Sequence, residues 1–146
     1  FIDTCDVTIA RTVAESEVLY IQEGLEKQPI EFGLRSYEQS GRVKIIDAEP
    51  RQIAAFRQKI STYEIHAGEL ETLAYFFDSH EDWLVSSGDH AVYQVLGFPG
   101  KGEQGISLEE ILREIGLAKT LDYPYTKKFR ERWTRRGQAD AIQRRT

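Results

Sequence analysis

Val43-Lys44-Ile45-Ile46-Asp47-Ala48-Glu49-Pro50 is the stretch on which the fold turns. Val43 to Ile46 is a β-branched run of strand length, and Pro50 suits the first turn of a helix continuing through Ile53, Phe56 and Ile60. A strand feeding directly into a helix is the repeating unit of an α/β protein. The pattern recurs on both sides. Val7-Thr8-Ile9-Ala10-Arg11 reads as a strand, followed by helical spacing over 13–25. Trp83-Leu84-Val85-Ser86-Ser87 reads as a strand that breaks at Gly88-Asp89 before a helix over 90–96. Between them, Leu70, Leu73, Ala74 and Phe77 make one helical stripe over 69–77, while 33–41 is polar and turn-rich. Ser107-Leu108-Glu109-Glu110 is a capping box opening a helix over 108–115. From Tyr125 onward the chain reads as a basic helix interrupted at Gly137. The expected fold class is α/β: a three-layer sandwich with a mainly parallel sheet, plus a C-terminal basic helical extension. Residues 1–100 form the core, and 101–146 form the extension packed on the same domain.

The 146 residues, 40% apolar and 29% charged, suit one domain able to bury a core. No apolar run approaches the roughly 20 residues of a membrane span, so the expectation is a cytoplasmic protein with no membrane partner. The single cysteine, Cys5, excludes an internal disulfide framework. Phe1-Ile2-Asp3-Thr4 reads as a short buried strand ending in an acid. Only Cys5 and Asp6 separate it from the next strand, whereas neighbouring parallel strands need a crossover of about a dozen residues. The expectation is either one continuous strand or, preferably, a helical segment missing between Cys5 and Asp6. The absence of methionine and the start at Phe1 within a strand-like run point the same way, to native residues beyond these.

Acids fall where ligands bind in parallel sheets, at the carboxyl ends of strands and the starts of helices. Asp3 and Asp89 end strand-like runs; Glu15, Glu69 and Glu71 open helical ones. Converging carboxylates repel unless a divalent cation neutralises them, and such hard oxygen ligands suit Mg²⁺ or Mn²⁺. Read singly, each acid is a helix cap or a solvated charge sooner than a ligand, and it is their order and context that raise the joint case. His66, His80 and His90 share no ligand spacing with one another; His66 and His80 read as surface or helix-flanking residues, and His90 as a helix-start residue, with a phosphate contact as its alternative.

In their order these segments resemble the PIN domain family, particularly its toxin-type members. The resemblance rests on Phe1-Ile2-Asp3-Thr4, Thr12-Val13-Ala14-Glu15, Gly68-Glu69-Leu70-Glu71-Thr72-Leu73-Ala74 and Leu84-Val85-Ser86-Ser87-Gly88-Asp89. It implies Asp3, Glu15, Glu69 and Asp89 as catalytic, metal-binding acids, with Glu71 a rival to Glu69 and Glu17 to Glu15. Thr4, Ser86 and Ser87 would support them. The implied activity is Mg²⁺- or Mn²⁺-dependent endoribonuclease cleavage, leaving 5′-phosphate and 3′-hydroxyl ends. The implied partners are RNA and a cognate antitoxin, and a homodimer is the expected assembly. The chain departs from the family in its short Asp3-to-Glu15 stretch, which lacks the intervening helices.

Two other readings remain open. One is a non-catalytic PIN-fold module binding nucleic acid or protein. The other is a phosphatase of the haloacid dehalogenase type, although Asp3-Thr4-Cys5-Asp6 is one residue longer than that family's Asp-x-Asp. Charge is unevenly distributed. Residues 127–146 carry a net +6 and the remainder −11. Lys127, Lys128, Arg130, Arg132, Arg135 and Arg136 are therefore candidate nucleic-acid-binding residues, against the alternative that they simply neutralise the acidic body.

Overall fold

A computed structural model describes residues 1–16, 20–23, 28–31 and 33–144, with backbone alone for 20–23 and 28–31. Contacts divide the chain into two units. One comprises Phe1–Lys59 with His66–Ser79, and the other Ile60–Ile65 with His80–Thr146. Residues 80–100 thus group with the C-terminal segment, not with the expected 1–100 core.

The first unit runs β1 (Val7–Ala10), α1 (Arg11–Ser16), β2 (Tyr20–Glu23), β3 (Gln28–Glu31), α2 (Leu34–Gln39), β4 (Val43–Ile46), α3 (Pro50–Lys59) and α4 (Ala67–Asp78). Strands β1 and β4 pair in parallel, Val7 opposite Val43 and Ala10 opposite Ile46. Val43, Ile46 and Ala10 are buried, while Lys44 is exposed. Helix α4 buries Leu73, Ala74 and Phe76, and Phe77 packs on Phe56 of α3 with ring centroids 5.0 Å apart. The chain is therefore mixed α/β. Among the described residues its parallel sheet has two strands, beside the antiparallel pair β2–β3.

Several sequence expectations need correction. Phe1-Ile2-Asp3-Thr4 is a turn, because the Thr4 and Cys5 amides both donate to the Phe1 carbonyl, at 3.0 and 3.1 Å. The paired strand begins only at Val7. The helix expected over 13–25 ends at Ser16, and Tyr20–Glu23 is a strand. Tyr20 and Ile21 favour a pleated strand once Gln28–Glu31 supplies the partner ladder. Glu17 and the rest of 17–19 and 24–25 lie outside the described residues. The polar 33–41 stretch contains helix α2, whose Leu34 and Tyr37, three apart, pack against Ala14 and Val43.

The second unit contains α5 (His90–Gly97), α6 (Leu108–Glu114) and α7 (Lys127–Gln143). Ala91, Val92, Tyr93, Val95 and Leu96 of α5 are buried. Gly97 and Gly137 let α5 and α7 touch backbone to backbone. A Cβ on Gly97 would strike the Thr134 carbonyl, and one on Gly137 the Gln94 carbonyl. Gly137 is thus a close-approach point inside a continuous helix, not the expected interruption. Trp83-Leu84-Val85-Ser86-Ser87 forms no strand. It makes a single parallel bridge, Val85 to Gly105, because the facing segment turns into a 3₁₀ helix at Gly102–Gln104. The capping box is present as expected, with Ser107 and Glu110 exchanging both bonds. Among the described residues no helix is long and apolar enough to cross a membrane.

Candidate functional site

Helix α4 carries the two rival glutamates of the Gly68-Glu69-Leu70-Glu71 motif, and they differ sharply. Glu71 is 5% exposed. One of its carboxylate oxygens accepts from the Thr12 amide at 2.9 Å and the other from the Ala48 amide at 3.2 Å. Thr12 lies just beyond β1 and Ala48 just beyond β4, so Glu71 ties together the carboxyl ends of the parallel pair. Its lone pairs serve the backbone. Glu69, two residues earlier in the first turn of α4, has its Oε2 buried with no hydrogen-bond partner. His66, the N-cap of that helix, makes no side-chain cap bond. It offers an imidazole nitrogen within 4.8 Å of a Glu69 carboxylate oxygen.

The other first-unit acids stand apart. Asp3 lies in the turn before β1, and its carbonyl accepts from Arg42, the residue preceding β4, at 3.0 Å. That places Asp3 at the amino end of the parallel pair, opposite the end where α1 begins. Thr4 is exposed in the same turn. Glu15 is exposed on α1 and lies 3.5 Å from Arg11, whose Nε grips Asp47 at 2.7 Å. The hydrogen bond from Arg11 holds the Asp47 carboxyl below its ordinary range, and the same bond raises Arg11. Among the described residues neither Asp3 nor Glu15 joins a cluster of three ligands able to hold a cation. Sequence reasoning missed His66 and Asp47. For His66 the signal was its place three residues before Glu69, one helical turn; for Asp47, its place directly after a strand.

In the second unit Asp89 is the N-cap of α5. Its Oδ1 accepts from the Ala91 amide at 2.9 Å and lies 3.4 Å from His90 Nδ1. The Asp89 amide donates to Ser87 Oγ at 3.0 Å, so Ser87 shapes the turn that presents Asp89, whereas Ser86 is exposed. Tyr93 props this turn from below, its single hydroxyl hydrogen shared between the carbonyls of Ser87 and Ile106 and its oxygen accepting from the Ser87 amide. Burial pushes the Tyr93 phenol up, so it stays a neutral donor.

The basic helix α7 sorts its candidates into two groups. Arg130 is bidentate on Glu110, both bonds 2.8 Å. Arg136 pairs with Asp140 at 3.3 Å, and Lys127 lies 3.8 Å from Glu131. Lys128 and Arg132 are exposed and make no ion pair among the described residues, while Arg135, 77% exposed, reaches Glu131 only at 3.9 Å. Elsewhere, a groove of about 420 Å³ between α3 and α4 is floored by Phe56 and Phe77 and contains none of the candidate acids.

No family model, no curated protein and no solved structure matches this chain.

Proposed function

We propose that the chain is a divalent-cation-dependent endoribonuclease whose cation is held through Glu69, on a PIN-like three-layer α/β scaffold. The observation that carries this reading is the buried, unpartnered Oε2 of Glu69. A buried carboxylate oxygen without a donor is costly, and a cation removes that cost. The Glu69 carboxylate and the His66 imidazole would each offer the ion one ligand atom, while Glu15 enters only through its sequence motif. Asp89 enters through its sequence motif, and Mg²⁺ or Mn²⁺ is the class of ion that carboxylate-rich ligands select. When bound, such an ion supplies activated water and charge neutralisation for phosphoryl chemistry.

The chain's own residues do the rest. Glu71 fixes the start of α4 against both strand ends, so Glu69 projects from a rigid element. Ser87 and Tyr93 fix the turn that carries Asp89. The exposed cations of α7 offset the repulsion between an acidic body and a polyanion. RNA as substrate, a cognate antitoxin and a homodimer come from the resemblance, and a cytoplasmic site comes from the composition. Cleavage of single-stranded RNA with Mg²⁺ or Mn²⁺ tests the proposal. The parent should cut and Glu69→Gln should lose at least about 100-fold in rate, the scale of losing an electrostatic catalytic group. Equal cleavage by parent and Glu69→Gln, or none by the parent, would refute it.

A further inference from the structure

The geometry points to a binding surface for single-stranded RNA in the second unit, made by Tyr125 as a base-stacking platform and Lys128, Arg132 and Arg135 as its phosphate rail. The inference rests on the nuclease reading for its choice of polymer.

Tyr125 is 42% exposed, and its ring lies directly on Gly88: a Cβ built there would come within 2.9 Å of Tyr125 Cε1. The ring is therefore held against the residue before Asp89, while the residue as a whole remains exposed. Its neighbour Tyr123 is also exposed, and its ring stands edge-on to Phe129 with centroids 5.3 Å apart. On the other side of Asp89, His90 lies against the Trp133 ring at 4.5 Å, and the Arg132 guanidinium stands 5.5 Å from the same indole. The Gly88-Asp89-His90 turn is thus bracketed by exposed aromatic surface and by α7.

Along α7, Phe129, Thr134 and Gly137 face inward. Lys128, Arg132 and Arg135, spaced four and three apart, share the outward face. Two of the three have no carboxylate partner among the described residues, so their charge is available to phosphates. Aromatic faces accept any base, and cations track the backbone, which is how proteins hold single strands without reading sequence.

The test is fluorescence anisotropy with a short labelled single-stranded RNA, in chelator so that no cleavage occurs. The parent should bind. Tyr125→Ala should weaken binding by about ten-fold, the scale of one lost base stack, and Tyr125→Phe should bind like the parent. Lys128→Ala with Arg132→Ala should weaken binding and flatten its salt dependence by about 0.7 per lost phosphate contact. Gly88→Ala, which displaces the Tyr125 ring without removing it, should weaken binding as well. No binding by the parent overturns the inference. So does Tyr125→Ala binding as tightly as the parent, or Tyr125→Phe losing as much as Tyr125→Ala. Cleavage is read separately. RNA cut by a parent whose affinity ignores Tyr125 sinks the surface and spares the cation site. Tyr125-dependent binding by a chain that cuts nothing does the reverse.

Discussion

Helices α4 and α6 begin with a glutamate at the same position, third in the first turn, and the two starts have opposite fates. At α6 the N-cap is Ser107, and Glu110 accepts from its amide and hydroxyl at 3.0 and 2.7 Å. Arg130 then closes the remaining lone pairs. At α4 the N-cap is His66, which caps nothing, and Glu69 keeps a buried oxygen without a donor. A Ser-x-x-Glu start closes on itself; a His-x-x-Glu start leaves two metal-ligand types side by side on one turn. The same residue in the same place is structural where its lone pairs are filled and available to a ligand where they are not.

The electrostatics of the closed start follow from its partners. Burial alone would raise the Glu110 carboxyl, but the Arg130 guanidinium and the Ser107 donors hold it down at about 2. A depressed carboxylate stabilises the fold fully above its ordinary value near 4.5, and that contribution is lost as pH falls toward 2. Removing it should produce the largest stability effect. Glu110→Gln strands the Arg130 charge, whose side chain is 15% exposed. The loss should be about 3 kcal/mol at neutral pH, or a fall of about 10 °C in Tm. Thermal denaturation from pH 2 to 7 checks this: parent and variant should converge at the acid end. A variant as stable as the parent at pH 7 would mean that the two helix starts do not differ as described.

A smaller effect sharpens the contrast. His66→Ser would give α4 the Ser-x-x-Glu start that α6 already has, drawing Glu69 into a capping box. Stability should rise by about 0.5–1 kcal/mol, measured by urea denaturation, while cation affinity falls. A variant less stable than the parent would show that Glu69 cannot turn back to its N-cap.

What was legible in the sequence was what local rules decide. Val43–Ile46 and the Pro50 helix start, the apolar stripe of α4 and the Ser107 capping box each depend on a few neighbouring residues. What was not legible depends on a distant partner. Trp83-Leu84-Val85-Ser86-Ser87 has strand composition but only a short turn opposite it. Tyr20–Glu23 becomes a strand because Gln28–Glu31 pairs with it. Gly137 looks like a breaker until the Gln94 carbonyl is seen against it. The same division runs through the site. The Glu-x-Glu motif put two carboxylates near the start of α4, but spacing alone could not tell their surroundings apart. That difference is made by the amides of Thr12 and Ala48, 59 and 23 residues away, which fill the lone pairs of Glu71.

The most direct test is calorimetric titration of Mn²⁺ and Mg²⁺ into the parent, Glu69→Gln and Glu71→Gln, below the melting temperature of each. The parent should bind saturably, a less stable Glu71→Gln should retain that binding, and Glu69→Gln should lose it. Saturable binding that survives Glu69→Gln and disappears in a folded Glu71→Gln, or no binding by the parent, would contradict a cation held through Glu69.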